Sequence, residues 1–219
     1  MLSDQFEEQA RIDFSVSTHP YALMAESICA RMADVEMYAF LIQDARDRHD
    51  LAQVAFNKEN HDTVAILTRS FTIGMLGACK ALLDSGAATL TLLHELPLTT
   101  TESRFDNSDF WHQFVVHAPN IHRRYHPLRL FFNEITRWCN TTPHRVPPVA
   151  TLHDHFGQWS SREMKLKVVN DDKADIVRLA DAPLQFEWID ALELHRRWKP
   201  QLLMLCEKLC ADISRKLAK

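Results

Sequence analysis

The segment Thr63–Leu96, TVAILTRSFTIGMLGACKALLDSGAATLTLLHEL, decides the fold class. It is the most apolar stretch of the chain. A β-strand runs about 3–10 residues, so an apolar segment of this length, closed by Pro97, reads as a buried helix. Gly74, Gly77 and Gly86 are read as places where another helix approaches closely. Lys80 and Asp84 stand four residues apart on one helical face, the spacing of a salt bridge. A charged pair inside so apolar a helix either faces solvent or lines a polar site.

The flanking sequence extends the same reading. From Tyr21 to about His49, Ile28, Met32, Val35, Tyr38 and Leu41–Ile42 recur at three- and four-residue spacing without glycine or proline, giving a long amphipathic helix. The polar FNKENHD (56–62) that follows is either a turn or an exposed continuation. Residues 97–108 are rich in Thr, Ser and Asn and read as a loop. Asp109–His117 reads as a short helix broken by Pro119. Another helix is expected from about Ile121 or Pro127 to Trp138. Three prolines make CNTTPHRVPPVATLHDHFG (139–157) a loop. Alternation on both sides of NDDK (170–173) reads as a β-hairpin. A final helix is expected from about Leu184 to Leu217, kinked or divided at Pro200. The predicted architecture is mainly α: an antiparallel helical bundle with a small loop and hairpin insertion before the last helix. A tail (1–20) precedes a single domain (21–219).

Composition agrees. The chain has 219 residues and only 4 glycines, which disfavours glycine-hungry β folds and phosphate loops. No run reaches about 18 consecutive apolar residues, so no membrane span is expected. The N-terminus, MLSDQFEEQARIDF, is acidic where a signal peptide is basic and apolar. Five cysteines, an odd number, fit reduced thiols in the cytoplasm better than a disulfide framework. Cys206 and Cys210 share a helical face and read as core thiols.

The net charge is -4, which gives no general attraction to nucleic acid. Its distribution is uneven. Between Asn120 and Ala150 lie Arg123, Arg124, Arg129, Arg137 and Arg145, with His122, His126 and His144 and one acid, Glu134. A local basic stretch on a mildly acidic protein suits a polyanion site. A solvated helix face paired with acids from elsewhere explains it equally well. The most chemically suggestive piece is Arg137-Trp-Cys-Asn-Thr-Thr-Pro-His144-Arg145. Cleaving RNA without metal requires a group that takes a proton from the 2′-hydroxyl, and histidine fits. It also requires a group that stabilises charge on the phosphorus-centred transition state, and arginine fits.

This segment resembles the signature of the HEPN superfamily: an arginine, four to six residues, then a histidine. The form seen in many stand-alone bacterial HEPN proteins is arginine-asparagine, three residues, then His-Arg and a proline-containing tail. Asn140, His144, Arg145, Pro147 and Pro148 match it. The helix around ACKALLDSGAATL (78–90) is similar to the second helix of that group. The likeness spans Tyr21 to the C-terminus, with its specific part at 140–148. In the closest form an arginine precedes Asn140; here that residue is Cys139. Arg137, six residues before His144, fits the wider spacing.

The resemblance implies a metal-independent endoribonuclease without a cofactor, working as a homodimer. Arg137, Asn140, His144 and Arg145 would be catalytic, and Arg123, Arg124, Arg129 and Lys80 would contact RNA. Asp84 and Cys139 are second-tier candidates. The alternative is a non-catalytic module of the same fold that binds RNA or a cognate protein, Cys139 marking loss of the enzyme. A metal site built from His112, His117, His122 and His126 is disfavoured, because Pro119 interrupts the run and spacings of five do not keep one helical face. Cys139 as a thiol nucleophile lacks an orienting third group.

Overall fold

The computed structural model describes residues 19–53, 58–99, 101–141, 149–151, 154–155, 158–159, 165–169 and 186–218. Helix α1 spans Pro20–Gln53 and α2 spans Lys58–Leu93. Most of FNKENHD is therefore helical, beginning at Lys58. Helices α3 (Ser108–His117) and α4 (Pro119–Tyr125) lead through a 3-10 turn, His126–Leu128, into α5 (Arg129–Thr141). Pro119 ends one helix and opens the next, since the first helical position needs no backbone N–H. The Asn107 side chain caps α3 by accepting from the Asp109 N–H at 2.9 Å. Helix α6 spans Ala191–Leu217 and runs through Pro200 undivided.

Between α5 and α6 lie short strands: β1 (Val149–Thr151), β2 (Asp154–His155), β3 (Gln158–Trp159), β4 (Lys165–Val169) and β5 (Phe186–Ile189). β4 is central in an antiparallel sheet of order β1-β4-β5, with Ala150 opposite Leu166 and Leu166 opposite Ile189. β2 and β3 pair separately. The expectations for this region are corrected in two ways. The first arm of the anticipated hairpin is a strand, but its partners are β1 and β5. The turn NDDK and the second arm lie outside the described residues. The last helix begins at Ala191, because Phe186–Ile189 is strand and Asp190 is the cap: its Oδ1 accepts from the Leu192 N–H at 2.8 Å and the Glu193 N–H at 3.4 Å.

Helix directions follow from which side chains meet. Arg46, Glu36 and Cys29, in falling order along α1, meet Asp190, then His195 and Lys199, then Cys210, in rising order along α6. These helices are antiparallel. Gly86 of α2 faces Leu209, and Leu93 faces Lys216, so α2 and α6 are parallel. Arg124 and Tyr125 meet Asp212 while Glu134 meets Arg197, so the α4–α5 arm is antiparallel to α6. The bundle is up-down-up-down.

Its core holds Ile28, Val35 and Ile42 of α1 and Met75, Leu76, Leu82, Leu83 and Leu90 of α2. From α6 it takes Trp198, Leu202, Leu205 and Leu209, spaced as one helical face. An aromatic group from the α2–α3 connection and α3–α5 joins it, with Phe105 stacked on Phe132 at 4.1 Å between ring centroids. Gly74 is glycine because a Cβ there would enter the Tyr38 ring, and at Gly86 a Cβ would lie 3.0 Å from Leu209 Cδ1. Gly77 plays no such role, because nothing lies within 4 Å of a Cβ built there. By length and composition, Ile66–Leu93 could cross a membrane. In this fold that stretch is the central core helix.

Candidate functional site

Helix α5 sorts its residues by face. Phe131, Phe132, Ile135, Trp138 and Cys139 are buried. Leu130, Asn133 and Arg137, at spacings of three and four, are exposed. The helix continues to Thr141, so residues 137 and 139 are both helical and point about 200° apart. Arg137 lies on the outer face, its guanidinium carbon 5.3 Å from the centroid of the Trp138 ring. Cys139 faces inward, and its thiol donates to the Leu76 carbonyl at 3.0 Å.

Burial pushes the Cys139 thiol up to about 12, assisted by the Asp84 carboxylate and opposed by Lys80. A thiol so held stays protonated and has no nucleophilic character. The Lys80–Asp84 ion pair forms as the spacing anticipates. Its charges act on Cys139, so these three residues gather on the seam between α2 and α5. Arg137 stands on the other side of the helix from that seam. Asn140 lies in α5, while His144 and Arg145 are outside the described residues.

The residues anticipated to bind RNA have different fates. Arg124 is ion-paired with Asp212, whose carboxylate is 4% exposed and also accepts from the Tyr125 hydroxyl at 2.7 Å and from Arg215. Burial and this carboxylate push the Tyr125 hydroxyl far up, fixing it as a donor. Lys208 completes the joint by donating to the Arg124 carbonyl at 2.8 Å. Arg124 is thus committed to holding α4 against α6. Arg123 and Arg129 behave otherwise. Arg123 is exposed, and Arg129 is half-buried over the Trp111 ring at 5.7 Å. His122 and His126 stand 4.9 Å apart, edge-on to the same indole at 5.7 and 5.9 Å. The His122 imidazole is held below its ordinary pKa by burial first, then by the positive charges of His126, Arg129 and Arg123. Arg129 and the two histidines thus converge about one buried tryptophan, with Arg123 next to His122 in sequence. Lys80, on α2, belongs to the separate Cys139 seam.

Several polar groupings had only faint sequence signals. The capping pattern Asp190-x-x-Glu193 was available. Asp212, by contrast, reads simply as a polar residue in an amphipathic helix. Glu36 meets His195 at 3.1 Å and Lys199 at 2.7 Å across α1 and α6, and nothing local marks it. Among the described residues, no group of three or more His, Cys, Asp or Glu side chains is placed to hold a metal ion.

No family model, curated protein or solved structure matches the chain.

Proposed function

We propose that this chain is a HEPN-like helical protein that acts on RNA as a metal-independent endoribonuclease, with Arg137 as its phosphate-binding arginine. The observation that carries the reading is the exposure of Arg137 on the outer face of α5, in the last turns before the segment that holds His144. His144 takes the proton of the 2′-hydroxyl, whose oxygen attacks the adjacent phosphorus. The guanidinium of Arg137, helped by Arg145, balances the charge gained in the transition state. The bond to the 5′-oxygen breaks, and that oxygen takes a proton from water. Asn140 fixes the loop or the scissile phosphate. Arg123, exposed on α4, and Arg129, half-buried over Trp111, are suited to phosphates flanking the cut. A homodimer in the cytoplasm, with two such motifs facing each other, completes the proposal.

One observation favours a second reading. The position taken by arginine in the closest motif form is here a cysteine sealed in the core. A module of this fold that binds RNA or a cognate protein without cutting is consistent with that loss. RNA incubated in EDTA with wild type, Arg137→Ala and His144→Ala separates the two. The catalytic reading expects cleavage by wild type alone. Equal cleavage by all three proteins would remove the motif from the mechanism. Binding without cleavage by wild type would establish the second reading.

A further inference from the structure

The helical backbone runs from Pro119 through α4, the 3-10 turn and α5 to Thr141. His122, His126 and Arg129 follow one another along it at spacings of four and three, so they share one side. That side is turned to Trp111 of α3. The two imidazoles lie 4.9 Å apart between ring centroids and stand edge-on to the indole at 5.7 and 5.9 Å. The Arg129 guanidinium carbon is 5.7 Å from the same ring. The indole itself is not open to a ligand, because it is 4% exposed and its N–H donates to the Phe105 carbonyl at 2.7 Å. It is the fixed wall on which three basic side chains are gathered. His126 is exposed, and His122 and Arg129 are half-buried, so all three reach solvent.

What this group lacks is a negative partner. Among the described residues, no carboxylate pairs with His122, His126, Arg123 or Arg129. The acids of neighbouring elements are committed elsewhere: Asp106 to Arg104, Glu134 of α5 to Arg197, and Asp212 of α6 to Arg124, Arg215 and the Tyr125 hydroxyl. Lys208 of α6 is taken by the Arg124 carbonyl. Asp109, His112 and His117, the titratable groups of α3, are exposed, and what α3 turns to the imidazoles is Trp111 and Phe114. We propose that His122, His126 and Arg129 together bind a phosphate group, with Arg123 at the rim. Arginine supplies a permanent charge and paired donors, each imidazole supplies an N–H, and the anion supplies the charge that the cluster lacks. The inference rests on the phosphate reading of Arg123 and Arg129 given above, and not on cleavage.

The histidines make such a site sensitive to acidity. In the free protein the His122 imidazole is held below its ordinary pKa by burial, then by the positive charges of His126, Arg129 and Arg123. A phosphate seated among these charges offsets their repulsion and favours the imidazolium. Anion binding and protonation of His122 therefore strengthen each other by the same factor. The bound state holds the proton more tightly than the free state. Affinity should rise as pH falls through the bound-state pKa and level off below the free-state one.

The test uses the full chain and sulfate, an anion of phosphate geometry whose charge stays constant between neutral and mildly acidic pH. Imidazole NMR signals follow His122, assigned with His122→Gln, in chloride and in sulfate at equal ionic strength. Calorimetry measures sulfate affinity at neutral pH and at about pH 5.5. Sulfate is expected to move the His122 titration to higher pH. Affinity should rise about 10-fold on acidification, since one proton taken up gives up to a decade per pH unit. His122→Gln should lose most of that rise, and Arg129→Ala should bind about 10-fold more weakly at both pH values. The wild-type titration decides by itself where a variant fails to fold. Two competitors identify the source of the phosphate. Displacement of sulfate by a 2′-O-methyl RNA oligonucleotide, which has no 2′-hydroxyl to cut itself with, at far lower concentration than inorganic phosphate assigns the site to a nucleic-acid backbone. Equal displacement per phosphate assigns it to a free anion. The proposal is overturned if His122 titrates identically in chloride and sulfate, or if affinity does not rise on acidification. It is equally overturned if Arg129→Ala binds sulfate as wild type does. Sulfate binding without RNA cleavage in EDTA would keep the site and end the ribonuclease reading, and cleavage with an unmoved His122 would do the reverse.

Discussion

Arg137 and Cys139 stand two positions apart in one helix and occupy opposite worlds. Arg137 is on the outer face beside the Trp138 ring. Cys139 is 4% exposed, with its thiol bonded to a backbone carbonyl of the neighbouring helix. The contrast shows how two positions of separation on one helix send one side chain to solvent and the other into the core. A cation at 139 would have to enter the core, whereas the one at 137 meets solvent. The same division recurs at adjacent arginines on α4. Arg124 is spent on a buried carboxylate, whereas Arg123 is exposed.

The contrast can be broken most violently at its inner member. Cys139→Arg would supply the arginine of the motif form this segment resembles, but it buries a charge against Leu76. Leaving a buried charge uncompensated costs about 3–5 kcal/mol. Urea unfolding should show a loss of that size, and no cleavage activity should be gained. Arg137→Ala is the outer counterpart. Its unfolding free energy should stay within about 0.5 kcal/mol of wild type, as for surface substitutions elsewhere. Cleavage of RNA should fall about 100-fold or more, the cost of deleting a transition-state donor. Unchanged cleavage rates would move the phosphate contact elsewhere.

The α4 pair gives a gentler version. Arg124→Ala should destabilise the fold by about 1.5–3 kcal/mol, the worth of hydrogen bonds to a charged group. Arg123→Ala should leave the denaturation midpoint nearly unmoved. It should weaken RNA binding uniformly across sequences and lower the salt slope by about 1. If Arg123→Ala destabilises as much as Arg124→Ala, the division between structural and exposed arginines fails.

The smallest effect concerns pH. The Nε2 of His94 is buried without a hydrogen-bond partner, and burial holds the imidazole below its ordinary value of 6.5. The unfolded chain therefore binds a proton that the folded chain refuses. Stability should decline as pH falls below about 6.5, and level off once the folded pKa is passed. Glutamine at 94 should flatten that decline when denaturation midpoints are compared at neutral and mildly acidic pH. His122, which is shifted the same way, contributes to the slope that remains, and Glu36, held below the ordinary carboxylate range, adds to it at lower pH.

The sequence disclosed the helices because their cores repeat locally. Ile28, Met32, Val35, Ala39 and Ile42 announce a face without reference to any other part of the chain. It misplaced the start of α6 because Phe186–Ile189 is apolar and borders a helix, and only the period-2 alternation of Phe186 and Trp188 with Glu187 distinguishes a strand. It gave the spacing of the Arg137–Arg145 segment but not its register, since which side of α5 is buried depends on where α2 packs. The tie between Tyr125 and Asp212 was illegible for a simpler reason. It joins residues 87 apart, and no local pattern encodes that meeting.

That long reach has a consequence for synthesis. Arg46 finds its carboxylate in Asp190, 144 residues further along the chain. At roughly 5–20 residues per second, a ribosome keeps α1 waiting about 7–30 s for the helix that covers it. Through that interval Val35, Ile42 and the neighbouring face of α2 have only each other. The nascent chain is then a two-helix hairpin with an uncovered apolar side, the kind of surface that holding chaperones recognise.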